Sequence, residues 1–281
     1  MNANSRDRNS HNMEGMNATL PLTPAEIHLW LAFYDEITDE RLLSEYRALL
    51  NAAEKEQEKR FYFARDRLRY LVTRALVRTV LSRYLPIHPR DWMFSTNAYG
   101  CPQIANAEAK EECISFNISH THSLIVLGVT RHRALGVDVE NVEAREALLD
   151  IADRFFAPQE VTALNAVPMA QQQYRFFEYW TFKESYIKAR RMGLSLPLNK
   201  FSFHYSHDQS VEIAIDPELA DDATRWQFWQ FRPRSEYLVA LCAERVGNEP
   251  PKLTVRQAVP MLSEKSYTPE FLRISPIKPS L

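Results

Sequence analysis

The chain has 281 residues, 45% of them apolar, with 34 basic against 36 acidic side chains and a formal charge of −2. That balance gives no global pull toward nucleic acid or an acidic membrane surface, and six glycines with no GxGxxG or GxxxxGK[ST] argue against phosphate-loop and dinucleotide folds. Cys101, Cys113 and Cys242 are too widely spaced for a disulfide framework or zinc site, and there is no run of 18 apolar residues and no apolar leader, so a cytoplasmic globular protein is expected.

In chain order, residues 1–24 are rich in Asn, Ser and Arg and are expected to form a disordered tail. Alternation at residues 27–31 predicts a strand. Apolar spacings of three and four predict one long helix over 54–85, ended by Pro86 and Pro89. Short strands follow at 113–119, 124–129 and 135–140. Helices are expected at 151–164 and 171–191, then strands at 201–205, 211–215, 226–231 and 237–243. A long helix followed by short strands thus occurs twice, which favours an α+β fold with antiparallel sheet. The expected division is an N-terminal lobe over 25–140, a C-terminal lobe over 141–246, and a proline-containing extended tail over 247–281.

Several residues could carry chemistry. Asp138 and Glu140 share one face of a strand, a placement that suits a hard cation such as Mg²⁺, although an isolated DxE more often marks a solvated strand end. Trp180, Glu184 and Lys188 fall in one helical row, and the plain alternative is an exposed ion pair. The aromatic start of the row, with Phe177, suggests the wall of a site. Ser119 and His120 end a strand with a hydroxyl and an imidazole suited to phosphate oxygens; His122 competes for that role, and a structural histidine is the plainer reading. Arg60, Arg65, Arg67 and Arg69 lie on the first long helix. Most are expected to be solvated, with Arg65 at the edge of the apolar stripe.

The order Phe116-Asn117-Ile118-Ser119-His120, Gly136-Val137-Asp138-Val139-Glu140, then Trp180-Thr181-Phe182-Lys183-Glu184-Ser185-Tyr186-Ile187-Lys188-Ala189 resembles the 4′-phosphopantetheinyl transferase superfamily. The likeness is to its two-lobed, surfactin-synthetase-activating type and covers about residues 25–245. It implies two similar α+β lobes, each a long helix on a small antiparallel sheet, with the site at their interface. It implies transfer of 4′-phosphopantetheine from coenzyme A to a serine of an apo acyl or peptidyl carrier protein, releasing 3′,5′-ADP. Asp138, Glu140 and Glu184 would hold Mg²⁺ (or Mn²⁺), with Glu184 also the base. Lys188 would contact the phosphates and protonate the leaving group; Ser119, His120 and Arg65 would bind coenzyme A, His120 polarising the pyrophosphate. A monomer is expected, with neither nucleic acid nor membrane as partner; the carrier and its fatty acid, polyketide or nonribosomal peptide pathway stay open. Two positions depart from the family pattern: Cys101 stands where Gly-Lys-Pro is usual, and Arg191 where Lys-Ala-x-Gly is usual. The rival readings are a metal-dependent phosphodiesterase or nuclease, and a non-catalytic module binding coenzyme A or a carrier.

Overall fold

Alternation in the first strand sets the layering of the molecule. The computed structural model describes residues 19–144, 149–247 and 250–276. In β1 (Glu26–Phe33), Ile27, Leu29, Leu31 and Phe33 enter one core while Trp30 and Ala32 enter another, so both faces are covered. The first half continues with α1 (Glu40–Leu49), α2 (Ala52–Arg60), α3 (Ala64–Leu81), β2 (Phe94–Thr96), β3 (Pro102–Ile104), α4 (Ala107–Glu111), β4 (Ile114–His120) and β5 (Leu124–Arg131). The second half opens with β6 (Leu135–Asn141), α5 (Ala152–Phe155), α6 (Pro158–Ala166) and α7 (Met169–Arg190). It continues with β7 (Phe201–His204), β8 (Glu212–Ile215), β9 (Trp226–Phe231) and β10 (Tyr237–Glu244). β11 (Lys252–Val259), β12 (Ser263–Tyr267) and β13 (Phe271–Ile274) close the chain.

The strands form two main sheets, β12-β11-β1-β5-β4 and β13-β9-β10-β6. Helix α3 packs Leu71, Val72, Ala75 and Leu76 against Trp30 and Leu127 of the first sheet. Helix α7 packs Phe177, Phe182 and Tyr186 against Phe228 and Ala240 of the second. The remaining faces meet each other through Leu29, Leu31 and Val126 on one side and Val137, Val139 and Leu241 on the other. The result is an α+β molecule of two helix-backed lobes, layered helix, sheet, sheet, helix.

The structure revises several boundaries. The single helix expected over 54–85 is two helices. Asn51 and Glu54 form a capping box that starts α2, and Arg67 of α3 donates to the carbonyls of Phe61 (3.0 Å) and Tyr62 (3.4 Å) at the break. Pro158 likewise splits the helix expected over 151–164, because its ring suits the first turn of α6 and no helix interior. The lobe boundary expected at 140/141 falls inside β6, which pairs with β10 and therefore belongs to the second sheet. Of the expected C-terminal tail, residues 248–249 and 277–281 lie outside the described residues, and residues 250–276 are not a surface strap. β11 joins β1 in a parallel pair, and β13 pairs with β9, so this stretch stitches the two sheets together. Pro250 and Pro251 precede β11 while Pro260 and Pro269 lie in the turns after β11 and β12, so a missing N–H breaks no ladder. Of the expected N-terminal tail, residues 1–18 lie outside the described residues. Leu22 is buried in the first core and the Leu20 N–H donates to the Arg83 carbonyl at 2.5 Å, so that end of the segment is packed.

Candidate active site where the two sheets meet

Strands β4 and β6 bring the candidate residues together through side chains, not through a ladder. Asn117 on β4 accepts the Val137 N–H at 2.9 Å, and the Thr121 hydroxyl accepts the Asn141 N–H at 3.1 Å. These bonds satisfy donors on the otherwise open side of β6. On its other face β6 carries Gly136, Asp138 and Glu140. A Cβ at Gly136 would lie 1.9 Å from the Ser185 carbonyl oxygen and 2.4 Å from the Ala189 nitrogen. Only glycine lets the α7 backbone rest this close, and that contact sets Lys188 over Asp138 two residues along the strand.

Asp138 is buried, and its Oδ1 accepts from the Ser119 hydroxyl at 3.0 Å and from Lys188 Nζ at 2.6 Å. Lys188 Nζ also donates to Ser119 Oγ at 2.9 Å, closing a three-membered network across both lobes. Glu184, one turn earlier on α7, is half-buried. Burial, followed by the negative charge of Asp138, pushes its carboxyl up to about 7 against the pull of Lys188. Glu140 is half-buried on the same face of β6 as Asp138. A cavity of about 240 Å³ opens here, with Glu184, Lys188, Asn117, Tyr99, Cys101 and Arg191 in its wall. A larger cavity of about 470 Å³ lies beside Arg83 and Glu264, and none of the candidate residues reaches it.

The other expected residues divide. His120 sits at the exposed end of β4, and its pKa is held below the ordinary value by desolvation first and then by the Arg69 and Lys188 charges. Arg65 is exposed on α3; the arginine whose charge reaches His120 is Arg69, which also pairs with Asp66 at 3.1 Å. Arg69, one of the helix arginines of which most are expected to be solvated, lies one turn from Arg65 in the same row. His122 bonds to the neighbouring Ser123 hydroxyl at 2.8 Å and takes no part. Trp180 is not a wall of the site: it stacks on Phe176 at 5.9 Å within the second core, where Phe177 is also buried. Lys183 is a buried brace that pairs with Glu160 at 2.7 Å and donates to the carbonyls of Leu198 and Phe201.

The loop before β3 is ordered by one side chain. Asn97 Oδ1 accepts the N–H groups of Tyr99 and Cys101, both at 2.9 Å, while its Nδ2 donates to the Arg191 carbonyl at 2.9 Å. Arg191 caps α7 in the left-handed region with φ 54°, a conformation that costs a residue with a Cβ about 1 kcal/mol and that glycine adopts freely.

Among the described residues no three His, Cys, Asp or Glu side chains converge as a ready-made metal cage. Asp138 Oδ2 is nevertheless buried with no hydrogen-bond partner, beside a carboxyl that burial has made reluctant to ionise. An orphaned carboxylate oxygen next to a second acid, Glu184, that lines the cavity fits Mg²⁺, which takes few protein carboxylates and completes its shell with water and substrate phosphates.

Both halves of the chain are similar to known proteins. Residues 134–242 match the model of the 4′-phosphopantetheinyl transferase superfamily, and residues 38–132 match that of the 4′-phosphopantetheinyl transferase N-terminal region. The two matches divide where the sheets divide, just before β6. The chain is 30% identical over 234 residues to 4′-phosphopantetheinyl transferase HetI of Nostoc sp., covering 82% of this chain and 93% of that relative. It is 32% identical over 198 residues to 4′-phosphopantetheinyl transferase Sfp of Bacillus subtilis, covering 70% and 84%. A phosphopantetheinyl transferase of Thraustochytrium sp. is 28% identical over 223 residues, covering 74% and 76%.

Proposed function

This chain belongs to the 4′-phosphopantetheinyl transferase superfamily, in the surfactin-synthetase-activating type, and we propose that it moves 4′-phosphopantetheine from coenzyme A to a serine of an apo carrier protein, dependent on Mg²⁺ and releasing 3′,5′-ADP. The observation that carries the proposal is the network of Asp138, Ser119 and Lys188 beside Glu184, with Asp138 Oδ2 buried and without a hydrogen-bond partner and with Glu184 and Lys188 in the cavity wall.

Asp138, Glu140 and Glu184 would hold the Mg²⁺. When bound, the ion would supply charge neutralisation for the pyrophosphate oxygens. The remaining work falls to this chain's own side chains. Lys188 uses two of its three N–H donors on Asp138 and Ser119, so a third is left for a phosphate oxygen of coenzyme A. Ser119 and His120, with Arg69 behind them, bind further phosphate oxygens at the end of β4. The carrier serine Oγ forms a bond to the β-phosphorus, and the bond from that phosphorus to the oxygen of 3′,5′-ADP breaks. Glu184 accepts the serine proton, and Lys188 gives hydrogen-bonding support to the leaving phosphate.

The test is incubation with coenzyme A, Mg²⁺ and an apo carrier domain, with chromatographic detection of 3′,5′-ADP. Equimolar nucleotide and holo carrier are expected. Nucleotide release without carrier modification, or cleavage of a nucleic-acid phosphodiester, would overturn the reading.

A further inference from the structure

The two positions where this sequence departs from its family meet across one cavity. Cys101 lies in the loop held by Asn97, Arg191 caps α7, and the same Asn97 side chain fixes the backbone of both. Both line the cavity that contains Lys188 and Glu184. Arg191 reaches this place in a left-handed backbone conformation, φ 54°, that favours glycine. Its side chain makes no hydrogen bond or ion pair with any described residue, so no internal contact accounts for keeping an arginine there. Its charge and that of Lys188 are both felt at the Cys101 thiol, which places the two cations around one point of the cavity wall.

We propose that Arg191 is a substrate-contacting residue of this enzyme, binding a phosphate of the nucleotide half of coenzyme A from the cap of α7 across the Cys101 loop. The strained cap is then retained for its charge. The inference rests on the transferase reading above and adds to it a residue that fixes affinity for the nucleotide. A planar guanidinium with free donors at a cavity mouth suits paired phosphate oxygens better than it suits the neutral pantetheine arm.

The test uses the full-length protein without carrier, and measures binding by calorimetry for coenzyme A, for 3′,5′-ADP and for pantetheine, which lacks phosphate. Arg191→Gly is expected to bind coenzyme A and 3′,5′-ADP about 5- to 10-fold more weakly. Its affinity for pantetheine should stay unchanged, and its melting temperature equal or higher, because glycine suits the cap. Arg191→Lys should recover part of the loss. The double variant Cys101→Lys with Arg191→Gly should also recover part, since it returns a cation from the opposite wall. Unchanged coenzyme A affinity in Arg191→Gly, or a loss that neither lysine variant reduces and that comes with a lower melting temperature, would overturn the role of Arg191 alone. Failure of the wild-type protein to bind coenzyme A would overturn the transferase reading beneath it.

Discussion

Asp138 joins the two lobes at the scale of a single side chain, because its Oδ1 carries both Ser119 of one sheet and Lys188 of the other lobe's helix. Removing it leaves a half-buried ammonium without its counter-charge and removes one candidate metal oxygen. Asp138→Ala and Glu184→Ala are each expected to lower transfer by about 10²-fold or more with the fold retained, as read by initial rates and circular dichroism. Glu140→Ala should be milder, since water can replace one ligand. Wild-type rates in either of the first two variants at limiting Mg²⁺ would contradict the assignment. At this scale the sequence was informative where spacing suffices. Period two puts Asp138 and Glu140 on one face, and a four-residue step puts Glu184 and Lys188 on one side of α7. The direct bonds from Lys188 to Asp138 and Ser119 join residues far apart in the chain, so no local pattern encodes them. Arg65 and Arg69 share a row, but which turn stands beside His120 depends on how α3 docks.

Elements hold that site through contacts with no tolerance for added volume. Gly136→Ala would set a methyl against the backbone of α7 at Ser185 and Ala189. The helix must then shift off β6, which is expected to cost about 2–3 kcal/mol, lower the melting temperature by roughly 5 °C and separate Lys188 from Asp138. Thermal melting and transfer rate measured together check this; loss of neither would show that α7 does not depend on that contact. The first sheet carries a pH-dependent element of its own. His28 on β1 is buried, bonded to the Tyr84 hydroxyl at 3.0 Å, and its pKa is pushed down to about 4 by burial and then by the Arg256 charge, against Glu26. Its folded pKa is below the unfolded value, so its neutral form stabilises the fold above about pH 6.5. That contribution is lost as pH falls toward 4. Urea unfolding should show about 2 kcal/mol of wild-type stability lost between pH 7 and pH 4.5 from this group, and His28→Gln should be flatter over the same window. An equal slope in both proteins would contradict the assignment. The expected helix over 54–85 missed its break because Phe61-Tyr62-Phe63 continues the apolar rhythm, and the carbonyl contacts from Arg67 that fix the corner are three-dimensional.

Across the whole molecule, both main sheets have their two faces covered, one by a long helix and the other by the opposite sheet. With no sheet face left to bury, a monomer near 32.7 kDa is expected in light scattering, and a concentration-independent dimer would contradict this. The α+β plan and the two lobes were legible from helix-then-strand order. The role of residues 252–274 was not, because their prolines suggested an extended strap while the strands between them pair with β1 and β9. Among the described residues no helix is long and apolar enough to cross a membrane. The central claim, that the junction of β4, β6 and α7 transfers phosphopantetheine, is tested most directly by the intact mass of an apo carrier domain after incubation with coenzyme A and Mg²⁺. Wild-type protein should add about 340 Da to the carrier serine, the mass of the transferred group, while Asp138→Ala leaves the carrier at its apo mass over the same time. A carrier left unmodified by the wild-type protein, or loaded equally fast by Asp138→Ala, would contradict the account.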